Sequence, residues 1–180
     1  MVDIERSKTS LNVESITSAR FKQNQGTLFM YTTSAGKINI CDFRENSNFH
    51  NKPSISFDAG QKALGVKASV FNKWTNCVSD ARFIDGTSNV VSRDYLSVKL
   101  WDLRASATSG VCSKPIYSAQ VTDYMERNLT TLMDQDSLDD QFFIDVTPDG
   151  KHLATGGYNK SGHVIDINST SNTVIGCNFG

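Results

Sequence analysis

An excess of charge of either sign is the first thing this 180-residue sequence lacks: 18 Lys plus Arg stand against 19 Asp plus Glu. Without a basic surplus or an acidic tail, its composition gives no reason to expect a nucleic-acid partner. Long apolar runs are missing too. No stretch approaches the roughly 18 apolar residues of a membrane span, and the polar start, Met1 to Asn12, has no apolar region of a secretory leader. The expectation is a soluble protein of the cytoplasm or nucleus, with no membrane partner.

Chemistry-bearing residues are sparse as well. The three histidines, His50, His152 and His163, fall in no H-E-x-x-H pattern, and there is neither a G-x-S-x-G elbow nor a glycine-rich phosphate loop. The four cysteines, Cys41, Cys77, Cys112 and Cys177, form no C-x-x-C pair, which argues against a zinc knuckle and reads as reduced thiols. Asp134 to Asp140 holds four carboxylates in seven residues but lacks the glycine of a calcium loop. Intrinsic catalysis, a cofactor and a metal site are therefore not expected.

What is present is a repeat. Three segments, 16–45, 78–105 and 142–168, share one layout. Each opens with a short apolar strand, as in Ala19-Arg20-Phe21 or Ala81-Arg82-Phe83. A hairpin turn follows, at Asn24-Gln25-Gly26, Asp85-Gly86 or Pro148-Asp149-Gly150, where glycine tolerates positive φ and Asx side chains bond their own backbone. A second strand, a turn and a third strand complete it, the last ending on an apolar residue plus Asp: Cys41-Asp42, Trp101-Asp102, Ile165-Asp166. The three Asp are 60 and 64 positions apart, against about 40–45 for a plain WD repeat. The surplus falls in 46–76, read as loop plus one outer strand, and in 106–140. In the latter, Val121, Met125, Leu129 and Leu132 or Met133 recur at helical spacing, and Asp123 with Glu126 resembles a capping box, so one short inserted helix is expected over about 121–134.

The second repeat is the most specific. Val98-Lys99-Leu100-Trp101-Asp102 alternates as a strand with two distinct faces, and Asp94 is placed to tie the turn before it. The string Ser92-Arg93-Asp94-Tyr95-Leu96-Ser97-Val98-Lys99-Leu100-Trp101-Asp102-Leu103 resembles the B-type, 55-kilodalton regulatory subunit family of serine/threonine protein phosphatase 2A. Val2-Asp3-Ile4, Phe29-Met30-Tyr31, Gly36-Lys37-Ile38, Val78-Ser79-Asp80 and Thr155-Gly156-Gly157-Tyr158-Asn159 are similar to that family in the same order.

The resemblance implies an all-β fold, a partial seven-bladed WD-repeat β-propeller of about three to four blades. It also implies a regulator that recruits phosphoprotein substrates for the scaffold and catalytic subunits of the phosphatase, with no chemistry of its own. The alternative is a WD-repeat interaction scaffold unrelated to the phosphatase. The family's scaffold-gripping hairpin has no counterpart in the matched stretch. Three blades cannot close a ring, so partners, further copies or more chain are expected to cover the ends. Before its third matching blade the family carries Phe-Asp-Lys-Phe; here stands Asp139-Asp140-Gln141-Phe142, which trades an apolar contact and a cation for acidity and would favour basic segments. The expected partner contacts are Asp139, Asp140, Gln141, Tyr158 and Asn159, with Arg93 and Tyr95 next.

Overall fold

A computed structural model describes residues 14–44, 53–60, 76–95, 97–105, 117–120, 131, 142–157, 161–169 and 171–176. Among the described residues, twelve strands build three four-stranded antiparallel sheets. The first sheet holds β1 (Ile16–Lys22), β2 (Gln25–Thr33), β3 (Lys37–Asp42) and β4 (Ile55–Asp58). The second holds β5 (Val78–Phe83), β6 (Asn89–Asp94), β7 (Ser97–Asp102) and β8 (Tyr117–Gln120). The third holds β9 (Ile144–Val146), β10 (His152–Gly157), β11 (Ser161–Asp166) and β12 (Asn172–Gly176). Each sheet is a meander in chain order, and the three pack face to face in series, as blades of a partial propeller. The inserted helix expected over 121–134 lies outside the described residues apart from Thr131.

The turns obey local chemistry. Gly86 and Gly150 take φ of 71° and 67°, as their hairpins require. In the first sheet Asn24, not Gly26, adopts the left-handed conformation, with φ of 61°; asparagine tolerates it because its short side chain bonds locally. The apolar–Asp ending of each third strand also has a cause. Asp42, Asp102 and Asp166 each accept the backbone N–H two residues on, from Arg44 at 3.0 Å, Arg104 at 3.0 Å and Asn168 at 2.8 Å. Arg44 and Arg104 add side-chain bonds from Nε at 3.0 Å. Hydrogen bonds to the ionised form hold all three carboxyls below the usual range, led by the Arg44 and Arg104 side chains at Asp42 and Asp102 and by the Ser169 backbone at Asp166.

The core lies in two layers between the sheets. Met30, Ile38, Ile40 and Phe57 of the first sheet meet Ala81, Phe83, Val90 and Trp101 of the second. Val91, Val98 and Leu100 of the second meet Ile144, Leu153 and Ile165 of the third. The middle sheet is thus buried on both faces, which is why β7 hides every residue from Ser97 to Trp101 despite its alternating pattern. Trp101, 2% exposed, packs against Phe57 with ring centroids 4.9 Å apart and donates from Nε1 to Ser92 Oγ at 2.8 Å.

Each sheet carries a fourth, outer strand. β4 falls in the segment read as loop plus an outer strand, whereas β8 and β12 arise where the sequence offers little alternation; all five residues of β12 are exposed. An outer strand with no buried face needs no apolar period, so none is written into it.

Candidate functional site

Three polar clusters are built into the sheets. The first ties the β6–β7 turn. Asp94 Oδ1 accepts the Ser97 backbone N–H at 2.6 Å, and its Oδ2 accepts from Ser97 Oγ at 2.9 Å and pairs with Lys99 Nζ at 2.8 Å. Lys99 also donates to the Ala59 carbonyl at 2.7 Å, reaching from the second sheet to the first. Both charges are buried, so this pairing is what makes their burial tolerable. The Cys77 thiol is pushed up to about 11, first by burial and then by the negative Asp94.

The second cluster centres on Asp80, fully buried on β5. It accepts from Ser18 Oγ on β1 and from the Ile144 backbone N–H on β9 at 3.1 Å. Arg20 Nε lies 3.3 Å and Arg82 Nε 4.0 Å from the carboxylate. Arg82 goes on to donate to the Ile144 carbonyl at 3.1 Å and pairs with Asp145 at 3.8 Å. One carboxylate on the first strand of the middle sheet therefore bonds the first strands of both neighbours. Sequence reasoning missed it; the available signal was a charged residue amid the small and apolar side chains of Val78 to Ala81.

The third cluster surrounds His163 on β11. Asn172 Nδ2 lies 3.3 Å from its Nδ1, and Ser161 Oγ lies 3.4 Å from its Nε2. The resemblance to a nucleophile–base–orienter set stops at the proton. An amide nitrogen only donates, so Nδ1 accepts and the ring proton sits on Nε2, facing Ser161. The ring has no lone pair there to take a hydroxyl proton. Burial lowers the His163 pKa, and the positive Arg93 lowers it further.

Of the residues expected to touch partners, Arg93 and Tyr95 are described, and both are inside. Arg93 is 0% and Tyr95 4% exposed. Arg93 Nη1 donates to the carbonyls of Asp94 and Ser97, and its guanidinium lies 4.9 Å from the centroid of the Phe142 ring. Tyr95 meets the same ring edge-on at 6.4 Å. The two side chains underlie a surface instead of forming it, because the cation and the ring are consumed in joining the second sheet to the third. Asp139, Asp140, Gln141, Tyr158 and Asn159 lie outside the described residues. Their described neighbours are informative: Phe142, Gly157 and Ser161 sit at one end of the third sheet, where Thr155 pairs with Ile144 and Gly157 with Ser161. That end adjoins the β6–β7 turn through Arg93 and Tyr95. No cluster of three or more metal-ligating side chains occurs among the described residues.

No family model matches the sequence. Curated proteins do. The chain is 29% identical over 175 residues to the serine/threonine-protein phosphatase 2A regulatory subunit phr2AB of Dictyostelium discoideum, covering 97% of this chain and 34% of that one. It is 32% identical over 158 residues to the serine/threonine-protein phosphatase 2A regulatory subunit sur-6 of Caenorhabditis elegans, covering 88% and 30%. Against the PP2A 55 kDa regulatory subunit of Drosophila melanogaster the identity is 29% over 175 residues, covering 97% and 33%. The chain spans about a third of the length of these relatives, and all three are named as regulatory subunits. Among solved structures, Raptor of Chaetomium thermophilum superposes with a TM-score of 0.59 at 14% identity, covering 92% of this chain and 12% of that one; this likeness concerns the fold alone.

Proposed function

We propose that this chain, which matches a continuous third of the B-type regulatory subunits of protein phosphatase 2A, supplies a substrate-recruiting surface for that phosphatase and leaves the chemistry to another subunit. The observation that carries this reading is the collinear similarity over nearly the whole chain. The regulatory names of the relatives favour it over a WD-repeat scaffold with no tie to a phosphatase.

The geometry suggests how such a role would work. Arg93 and Tyr95 beside the β6–β7 turn meet the ring of Phe142, and Gly157 pairs with Ser161 in the third sheet. Asp139, Asp140 and Gln141 precede Phe142 in the chain, Tyr158 and Asn159 follow Gly157, and the acidic run from Asp134 to Asp140 suits basic segments of a phosphoprotein. Holding a substrate beside the catalytic subunit raises its effective concentration there, so dephosphorylation speeds without a new catalytic group. Arg93 and Tyr95 act beneath that surface, fixing Phe142, the residue next to Gln141 in the chain.

The test uses purified components. The immobilised chain is incubated with the phosphatase scaffold and catalytic subunits, and retained phosphatase activity is measured. Retention that saturates, with no activity from the chain alone, supports the proposal; no retention, or phosphate release by the chain alone, sinks it.

A further inference from the structure

The sequence has two Asp-Gly steps, and both fall in hairpins. Asp85-Gly86 lies between β5 and β6 in the second sheet, and Asp149-Gly150 between β9 and β10 in the third. Both glycines take positive φ, 71° and 67°. Aspartate before glycine is prone to cyclise, because glycine has no side chain to shield its amide nitrogen from the preceding carboxyl. The glycine nitrogen forms a bond to the aspartate Cγ. The amide proton and a carboxyl oxygen leave in a molecule of water, which closes a cyclic imide. Water then adds at the aspartate main-chain carbonyl and cuts its bond to the glycine nitrogen. The chain afterwards runs through Cγ, and the old main-chain carbonyl has become a free carboxylate. Water leaves and water returns, so no other reactant is needed.

Exposure alone would single out Asp149, which is exposed where Asp85 is half-buried. The hydrogen bonds reverse that order. In the third-sheet hairpin both reacting groups are occupied. The Gly150 N–H donates to the Thr147 carbonyl at 2.8 Å. Asp149 Oδ1 accepts the Thr147 hydroxyl at 2.6 Å and the Lys151 N–H at 3.1 Å. These bonds, led by the Thr147 hydroxyl, hold the Asp149 carboxyl below its usual range, and an ionised carboxyl gives up its oxygen poorly. Gly150 is confined as well, since a side-chain carbon there would stand 2.8 Å from Ile84 Cγ2. In the second-sheet hairpin the closing donor is instead the residue after the glycine. The Thr87 N–H donates to the Ile84 carbonyl at 3.2 Å, and the Thr87 hydroxyl joins it at 2.8 Å. Among the described residues the Gly86 N–H donates no hydrogen bond and the Asp85 carboxylate accepts none. A side-chain carbon at Gly86 would meet nothing within 4 Å.

We propose that Asp85 is a modification site of the folded chain: its link to Gly86 isomerises to isoaspartate, while Asp149 is held as aspartate by its hairpin. The product presents a free α-carboxylate, the group that isoaspartyl methyltransferases esterify with S-adenosylmethionine. Gly86, Thr87 and Ser88 are all exposed, so such an enzyme can reach it. The second sheet has its neighbour on either face within this chain, so the setting of this hairpin does not depend on what lies beyond the first or third sheet. This inference does not rest on the regulatory reading.

Ageing the protein tests it. The chain is kept at physiological pH and temperature for several weeks, folded or in urea, then digested with trypsin. Electron-transfer fragmentation tells isoaspartate from aspartate at each position. In the folded chain isoaspartate is expected to form at Asp85 about tenfold or more faster than at Asp149, which must first give up its hydrogen bonds. In urea those bonds are gone, and the two rates are expected to converge. Labelled methyl groups, added by an isoaspartyl methyltransferase, are expected in tryptic peptide 83–93 of the aged folded chain. They should be missing from that peptide in Asp85→Glu, whose longer side chain closes no such ring. Absence of isoaspartate at Asp85 overturns the proposal, as does formation at Asp149 that is equal or faster. An unchanged ratio in urea also overturns it, because the difference would then lie in the neighbouring sequence and not in the fold.

Discussion

Asp80 accepts the backbone N–H of Ile144 at 3.1 Å across 64 residues of chain, and the same carboxylate takes the hydroxyl of Ser18 from the opposite side. Three sheets are thus pinned at one buried acid. Asp80→Ala leaves the Ile144 N–H and the Ser18 hydroxyl without their acceptor and removes the negative charge beside Arg20 and Arg82. Breaking a fully buried pair costs about 3–5 kcal/mol; because both guanidinium groups are a third exposed, we expect about 2–3 kcal/mol here. Urea unfolding checks it, and Asp80→Asn, which keeps an acceptor oxygen, should lose less.

Trp101 reports on the junction between the first and second sheets. Trp101→Ala removes a side chain that is 2% exposed and should cost about 3–5 kcal/mol. Trp101→Phe keeps most of the packing on Phe57 but strands the Ser92 hydroxyl, for about 1 kcal/mol. Equilibrium unfolding of the two variants should rank them in that order.

The middle repeat was the most legible part of the sequence. Val98 to Trp101 alternates, and the structure sends Val98 and Leu100 to the third sheet and Lys99 and Trp101 to the first. The Asp that closes each third strand was readable as well, since it satisfies backbone donors only two or three residues away. Asp80 and His163 were not readable as sites, because what makes them so is contact with other strands: β1 and β9 for Asp80, β12 for His163. Arg93 and Tyr95, on either side of Asp94, were expected among the partner contacts. The turn that Asp94 ties is indeed there, but Phe142, some fifty residues on, covers both. Sequence pattern carries local periods and caps; it does not carry which distant ring lands on which cation.

Stability should fall on mild acidification through His163. Burial, and then the charge of Arg93, hold its folded pKa below the ordinary 6.5. Protonation therefore favours the unfolded chain: the stabilisation is complete above the unfolded value and is lost as pH drops from there through the lower folded value. Urea midpoints measured from about pH 8 down to about pH 5 should decline, and His163→Asn should flatten the decline. The lowered carboxyls of Asp42, Asp102 and Asp166 act in a separate, more acidic window, below the ordinary 3.8.

Cys77 should resist alkylation at neutral pH. Its thiol is buried and its pKa raised to about 11, so the reactive thiolate is scarce. Peptide mapping after brief iodoacetamide treatment should find Cys77 unmodified in the folded chain and modified once urea is added.

The recruiting role is tested most directly by the initial rate at which phosphatase 2A scaffold and catalytic subunits dephosphorylate a phosphoserine protein with a basic flanking segment, with and without this chain. The account predicts a lower KM with kcat little changed, an effect weakened by Asp139→Lys with Asp140→Lys. A rate that ignores the chain at every substrate concentration, or phosphate released by the chain on its own, would contradict it.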